Sequence, residues 1–387
     1  MHPFRWYMPT RLHFGTGSLE LLSKLPLPGH KALLVVGQGG SARRLGYLDE
    51  VLSLLQRRGC EAVVFDKIQP NPTSEQVDEG AVLARGEGCH FVVGLGGGSS
   101  LDAAKSIALM MGNEGAYWDY MGGTTGKKKT PKFPAKPVVA IPTTSGTGSE
   151  TDPWTVITRL DSREKLGWGC DSTYPQLALI EPRLMLSLPP AQTAMTGMDA
   201  FFHAIEAYLA TCHQPGSDVL ALDIAARINR WLPRAVQHPE DLEARIEMAW
   251  AATGAGICES LSSCISHHSL EHALSAFHPK LPHGAGLCML ALPYFSSLAP
   301  FVPERMADLA KAMGQPAKAD AFLVGLEKLI AEVGLNALKL SDYGIVPEEF
   351  PALAKNALDV MGGLFSLTPM EQDENALVHI LRQAWRP

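Results

Sequence analysis

The chain has no Cys-x-x-Cys pair, no long apolar run and no surplus of positive charge, and each absence removes a class of protein. Its seven cysteines (60, 89, 170, 212, 258, 264 and 288) are odd in number and scattered. That excludes a zinc-finger spacing and a disulfide framework, and it fits reduced thiols in a cytosol. No apolar stretch reaches the roughly 18 residues that a membrane-spanning helix needs. The opening MHPFRWYMPTRLHF shows no apolar core followed by a small-residue cleavage site. A cytoplasmic protein without a membrane partner is therefore expected. A formal net charge of −7 gives no global attraction to nucleic acid. The one basic run, Lys127 to Lys129 with Lys132 beyond, is short and flanked by glycine and proline, so it reads as an exposed loop. Fixed short repeats and low-complexity tracts are also missing.

What remains is a chain of 387 residues, 46% hydrophobic, long enough for two domains. Up to about residue 185 the pattern alternates strand, glycine turn and helix. Strands are predicted at 31–37, 61–66, 89–98 and 137–144, and helices at 43–58, 74–87 and 99–111. This alternation argues for a parallel sheet covered by helices. Beyond it, helical patterns dominate: 193–210, 216–231, 241–263, 267–277, 303–313, 318–333 and 348–361. The expected division is an α/β dinucleotide-binding domain over 1–188 and an all-α domain over 189–387. The run PPAQTAMTGM (189–198) is the expected boundary.

Two strand-to-helix turns suit a pyrophosphate. Gly37-Gln38-Gly39-Gly40-Ser41-Ala42 satisfies G-x-G-x-x-A after a strand. Gly94-Leu95-Gly96-Gly97-Gly98-Ser99-Ser100 also follows a strand and opens a helix. Missing Cβ atoms let the backbone approach phosphate oxygens, and N–H groups at a helix start point at the anion. A tight turn without ligand explains either motif alone. The usual dinucleotide pattern favours the first turn, with an acid about 20 residues later. Asp66 lies nearer 30 residues on, so that fit is poor. A third turn, IPTTSGTGSE (141–150), gathers hydroxyls and glycines suited to a ribose or an amide.

Asp199 and His203, in GMDAFFHAIEAY (197–208), stand four apart in a stretch rich in helix formers. On a helix they share one face. Alone they read as a polar pair on a solvated face. His268 and His272 repeat the spacing, and His283 follows in front of a glycine. Five of the 13 histidines fall between 267 and 283, a density that packing alone does not explain.

Together, NPT (71–73), GGGSSLDAAK (96–105), IPTTSGTGSE, GMDAFFHAIEAY and the histidine cluster ending PHG (282–284) resemble the iron-containing, or group III, alcohol dehydrogenase family over nearly the whole chain. The resemblance implies an α/β domain followed by a helical one, of dehydroquinate synthase-like architecture, with the active site in the cleft between them. It places the pyrophosphate on Gly96, Gly97, Gly98 and Ser99, and moves the first turn to the adenosine ribose. Asn71, from NPT, Asp102, Thr143, Thr144, Ser149 and Lys165 match cofactor-side positions. Asp199, His203, His268 and His283 match the metal ligands, for Fe²⁺ or Zn²⁺, and His272 matches a residue near the metal. His267 and His278 are rivals as ligands. The separation of His268 from His283 is 15 residues, one more than in many members. A homodimer or larger homo-oligomer is also implied.

A second departure concerns the cofactor. Where NAD-preferring members often carry an aspartate after the first strand, this chain has Gly37. Ser41, Arg43 and Arg44 follow and suit a 2′-phosphate, so NADP(H) is expected over NAD(H). Three imidazoles and a carboxylate suit a Lewis acid that activates an alcohol or polarises an aldehyde. The expected activity is hydride transfer between the nicotinamide and a small primary alcohol or aldehyde. His272 is the expected proton relay, because an ordinary histidine titrates near neutrality. Thr151, Trp154, the helix around Cys258 and Phe277 are expected to wall the pocket. Rival readings are a dehydroquinate synthase-like lyase, a glycerol dehydrogenase-like polyol enzyme and a non-catalytic NADP-binding sensor. Few basic residues flank the metal motifs, which disfavours a phosphorylated acid, and a sensor has no need of four metal ligands.

Overall fold

The computed structural model describes residues 3–387. Six parallel strands form the central sheet: β1 (Arg11–Phe14), β2 (Lys31–Gly37), β3 (Glu61–Ile68), β4 (Phe91–Gly96), β5 (Val138–Pro142) and β8 (Leu177–Ile180). Their order is β1-β8-β5-β4-β2-β3. Strands β4 and β5 are buried almost throughout, as a parallel strand covered on both faces requires. Helices α1 (Ser41–Arg44), α2 (Tyr47–Arg57), α3 (Ser74–Gly86) and α4 (Gly98–Met110) belong to this layer. The single helix expected over 43–58 is divided because Gly46 takes a left-handed conformation, φ 77°. An antiparallel hairpin, β6 (Thr155–Arg159) with β7 (Glu164–Trp168), stands apart from the sheet. Neither the hairpin, β1, nor β8 was expected from the sequence. Each is only four or five residues long, too short for a periodic signal.

The rest is helical: α5 (Pro190–Leu209), α6 (Pro215–Gln237), α7 (Leu242–Ser262), α8 (Ser266–Phe277), α9 (His283–Leu298), α10 (Pro303–Ala312), α11 (Ala319–Glu332), α12 (Phe350–Val360) and α13 (Glu374–Ala384). One apolar core unites them, and separate cores pack on the two sides of the sheet. The run 189–198 is no linker. Pro190 starts helix α5, where a missing N–H costs nothing. Helix α6 continues past the expected end at 231 and carries Pro233 inside it. Helix α9 was missed, because it is apolar on every side. With the turn that follows it, His283–Phe301 is long and apolar enough to span a membrane by composition, yet over half of it is buried in the helical core.

Candidate metal centre

Helix α5 is buried on all sides over most of its length. Polar groups on it therefore need partners inside the protein. Asp199, His203 and Glu206 follow at helical spacing, each at most 5% exposed. Helices α8 and α9 bring His268 and His283 against them. The Asp199 Oδ1 atom lies 3.6 Å from His203 Nε2, 3.7 Å from His268 Nε2 and 3.4 Å from His283 Nε2. All four ligand atoms lie within 4.8 Å of one another.

These separations are long for hydrogen bonds. They match a different geometry: ligand atoms about 2.1 Å from one cation stand roughly 3.4 Å apart around a tetrahedron. Asp199 Oδ1 and His268 Nε2 are buried with no hydrogen-bond partner among the described residues. Two orphaned atoms of this kind, converging with two further imidazole nitrogens, fit a divalent cation. Burial alone would raise the Asp199 pKa, but His203, His283 and His268 hold it well below the usual carboxylate range.

Two carboxylates aim the imidazoles. His268 Nδ1 donates to Glu206 Oε1 at 2.8 Å. His283 Nδ1 donates to Glu271 Oε2. With Nδ1 so engaged, each ring presents Nε2 to the centre. Glu206 also accepts from His267 Nδ1 at 2.7 Å and from the Ile265 N–H at 3.0 Å. Its pKa falls to about 2 because His268 and His267 outweigh the opposing effect of burial. His267 is thus a buried structural partner of Glu206 and of the Leu287 carbonyl. His278 pairs with Glu349 at 3.1 Å, away from the tetrad.

His272 lines the same cavity, is 4% exposed, and has an Nδ1 without a partner. Burial first, then Lys165, His283 and His268, push its pKa well below the ordinary histidine value.

The cofactor-side residues divide into three groups. Asn71, Gly98, Ser99, Asp102, Ser149 and Lys165 line the cavity that contains the tetrad. Gly96, Gly97, Thr143 and Thr144 lie just behind it, with Thr143 N donating to the Gly96 carbonyl at 2.9 Å. A Cβ on Gly98 would stand 2.4 Å from the Thr147 side chain, so the glycine turn and the third turn interlock. Gly37 and Arg43 line a second, smaller pocket with Asp66, and Arg43 Nη2 is 3.6 Å from Asp66 Oδ2. Ser41 is not among the residues lining that pocket.

The expected pocket walls need correcting. Trp154 and the helix around Cys258 line the cavity, the helix through Glu259 and not through Cys258 itself, but Thr151 and Phe277 do not. Thr151 bonds the Gly148 and Thr253 carbonyls, and Cys258 is buried in the helical core. Phe277 lies under the Arg163 guanidinium. Their places are taken by Asp152, Thr147, Val156, Glu259, Ser263, Cys264, Met361 and Leu364, none singled out from the sequence.

Comparison with known proteins covers nearly the whole chain. The family described as iron-containing alcohol dehydrogenase matches residues 9–182, and its C-terminal counterpart, Fe-containing alcohol dehydrogenase family, C-terminal, matches 193–385. The chain is 36% identical over 371 residues to an NADPH-dependent butanol dehydrogenase of Clostridium saccharobutylicum, covering 92% of this chain and 90% of that one. It is 34% identical over 360 residues to an NAD-dependent methanol dehydrogenase of Bacillus methanolicus, covering 91% and 88%. Among solved structures, an archaeal halo-thermophilic alcohol dehydrogenase from a Red Sea brine pool superposes with a TM-score of 0.95 at 32% identity, covering 99% of each chain.

Proposed function

From the premise that the chain belongs to the iron-containing alcohol dehydrogenase family, and so is an oxidoreductase using a metal and a nicotinamide cofactor, we propose that it interconverts a small primary alcohol and its aldehyde, with NADP(H) preferred. The observation that carries the reading is the convergence of Asp199, His203, His268 and His283 on the wall of a cavity whose other end is the α4 glycine turn. A divalent cation held by the four side chains, Fe²⁺ or Zn²⁺ by donor chemistry, would supply Lewis acidity toward a substrate oxygen. The chain's own groups do the rest. Backbone N–H groups of Gly96 to Ser99 at the start of α4 receive the pyrophosphate. Ser149 and Asp102, joined at 2.5 Å, hold the third turn where the ribose and amide would lie. His272 offers its unpartnered Nδ1 for a hydrogen bond in the cavity. Val156, Met361 and Leu364 exclude water.

The cofactor preference rests on Gly37 and Arg43. Glycine at the end of β2 leaves no carboxylate there to repel a 2′-phosphate, and Arg43 supplies a guanidinium at the small pocket. Asp66 competes for that guanidinium, which sets a sharp test. In protein reloaded with Fe²⁺ or Zn²⁺ under anaerobic conditions, kcat/KM for butanal is expected to be higher with NADPH than with NADH. Arg43→Ala should raise KM for NADPH by about tenfold or more, the size of a hydrogen bond to a charged group, and hardly change KM for NADH. A clear NADH preference in the unmodified protein would overturn the cofactor assignment. Full turnover after complete metal removal would overturn the metal assignment.

A further inference from the structure

The cavity holds one carboxylate with no ammonium or guanidinium partner among the described residues. Glu259, near the end of α7, has no hydrogen-bond donor among the described residues, and its side chain keeps 17% of its exposure. The neighbour within ion-pair range is His203, whose Nε2 is 3.8 Å from Glu259 Oε2 and is already committed to the tetrad. Glu259 groups with His203 and Cys264, not with the complete set of four, so it stands beside the metal ligands and does not complete them.

The other charges in and behind the lining are engaged. Asp102 accepts from Ser149 Oγ and from the Val156 N–H. Asp152 accepts from Lys105 Nζ at 3.0 Å and from the Trp154 N–H at 2.7 Å. Lys165 is held by Ser275 Oγ at 2.9 Å and Glu271 at 3.5 Å. Asp102, Asp152, Glu259 and Glu271 thus face only two ammonium groups, Lys105 and Lys165. The remaining wall is largely apolar: Trp154, Val156, Met361 and Leu364. Independently, two buried polar atoms here lack partners, His272 Nδ1 on a side chain 96% buried and Trp154 Nε1. The space is built for a ligand with polar ends.

We propose that Glu259 selects a substrate carrying a protonated amine, so that the enzyme acts on a short amino alcohol and its amino aldehyde: the oxygen meets the metal tetrad and the ammonium group meets Glu259. A carboxylate in a mostly apolar cavity favours a cationic partner over a neutral hydroxyl, because charge-assisted hydrogen bonds are roughly twice as strong as neutral ones. Trp154 adds an aromatic surface favourable to a cation. The closeness of Glu259 to His203 limits the linker between the two functional groups to a short one. This inference rests on the alcohol dehydrogenase reading above.

The test pairs two alcohols of nearly equal size, 3-aminopropan-1-ol and butan-1-ol, with metal-loaded enzyme and NADP⁺. The amino alcohol is expected to have the higher kcat/KM, by about tenfold or more, as a hydrogen bond to a charged group implies. Glu259→Gln should shrink that ratio at least as far, and Glu259→Leu should invert it. Calorimetric titration of 3-aminopropan-1-ol into the metal-loaded NADP⁺ complex should show binding that weakens by the same factor in Glu259→Gln. If butan-1-ol is turned over and preferred, and the ratio is unmoved in both variants, the proposal is wrong while the dehydrogenase reading stands. If neither alcohol reacts, that reading fails, and the titration alone decides whether Glu259 binds an amine. A rise in KM for NADP⁺ in Glu259→Gln with no change in the alcohol ratio would mean that the carboxylate serves the cationic nicotinamide, and would also overturn the proposal.

Discussion

Glu271 is fully buried, and a buried charge survives only with partners. It has two, Lys165 from the hairpin and His283 at the tetrad, which hold its pKa below the usual range although burial opposes them. Room for it comes from Gly286, where a Cβ would stand 2.8 Å from Glu271 Cγ. Its task is to fix the His283 ring, Nδ1 toward the carboxylate and Nε2 toward the metal. Glu271→Gln keeps the shape and removes the charge. Metal affinity is expected to fall about 10- to 100-fold, the usual cost of losing a partner behind a ligand. Competition against a chelator reads this directly, with circular dichroism confirming that the variant folds. Unchanged affinity would reduce Glu271 to packing. The four residues of the tetrad were visible in the sequence because Asp and His at i, i+4 are rare and point to one chemistry. Their supports were not. Glu206 and Glu271 stand three residues after His203 and His268, on the same faces, but glutamate on a helix is too common to mark a site. The helix around Cys258 was expected at the pocket and does reach it, but through Glu259, since one residue turns a helical side chain by about 100°.

At the scale of elements, the glycine after His283 acquires a reason. A Cβ on Gly284 would stand 2.1 Å from the Met195 carbonyl oxygen, a backbone atom of α5 that cannot step aside. Helices α5 and α9 therefore touch backbone to backbone beside the tetrad, and this approach carries His283 to Asp199. Gly284→Ala isolates the effect. Alanine is the better helix former, so propensity alone would stabilise α9. Overpacking opposes it, and a net loss of about 1–3 kcal/mol is expected, measured by urea denaturation of metal-free protein. Metal affinity should fall as well, since α9 must retreat from α5. A variant as stable as the parent would show that the two helices part without cost. Most helices were legible because their apolar periodicity is strong and their ends are punctuated, as α3 is by the Thr73 capping box. Helix α9 was not, since an element apolar on nearly every side carries little periodic contrast. The division of α2 from α1 depends on Gly46 adopting a positive φ, which composition alone does not dictate.

Across the whole molecule, the tetrad draws on helices α5, α8 and α9, while the cofactor residues belong to the sheet layer and the hairpin. Polar links cross between them at several points, among them Lys165 with Glu271 and Ser275, Asn71 Nδ2 with the Pro279 carbonyl at 3.2 Å, Glu150 with Thr253 at 2.9 Å, Thr151 with the Thr253 carbonyl at 3.2 Å, Tyr174 with Ser260, and Asn356 with the Arg163 carbonyl at 2.9 Å. A bound cation would tie three helices that are far apart in sequence, and a ligand that binds only the folded state stabilises it by mass action. At free metal 100-fold above the dissociation constant the gain is about 2.7 kcal/mol. For a unit the size of the helical part, about 200 residues, each kcal/mol is worth roughly 2–4 °C in Tm, so reloading stripped protein should raise its transition by several degrees. Because all four ligands lie in the helical core, the gain belongs to the unfolding of that part. A calorimetric scan that resolves two transitions should move the helical one and leave the sheet layer's nearly fixed. His268→Ala should abolish the shift, since it removes both a ligand and the hydrogen bond to Glu206. Equal Tm with and without metal in the parent chain would mean that the cation does not bind the folded tetrad in preference to the unfolded chain, and would overturn the metal assignment to Asp199, His203, His268 and His283.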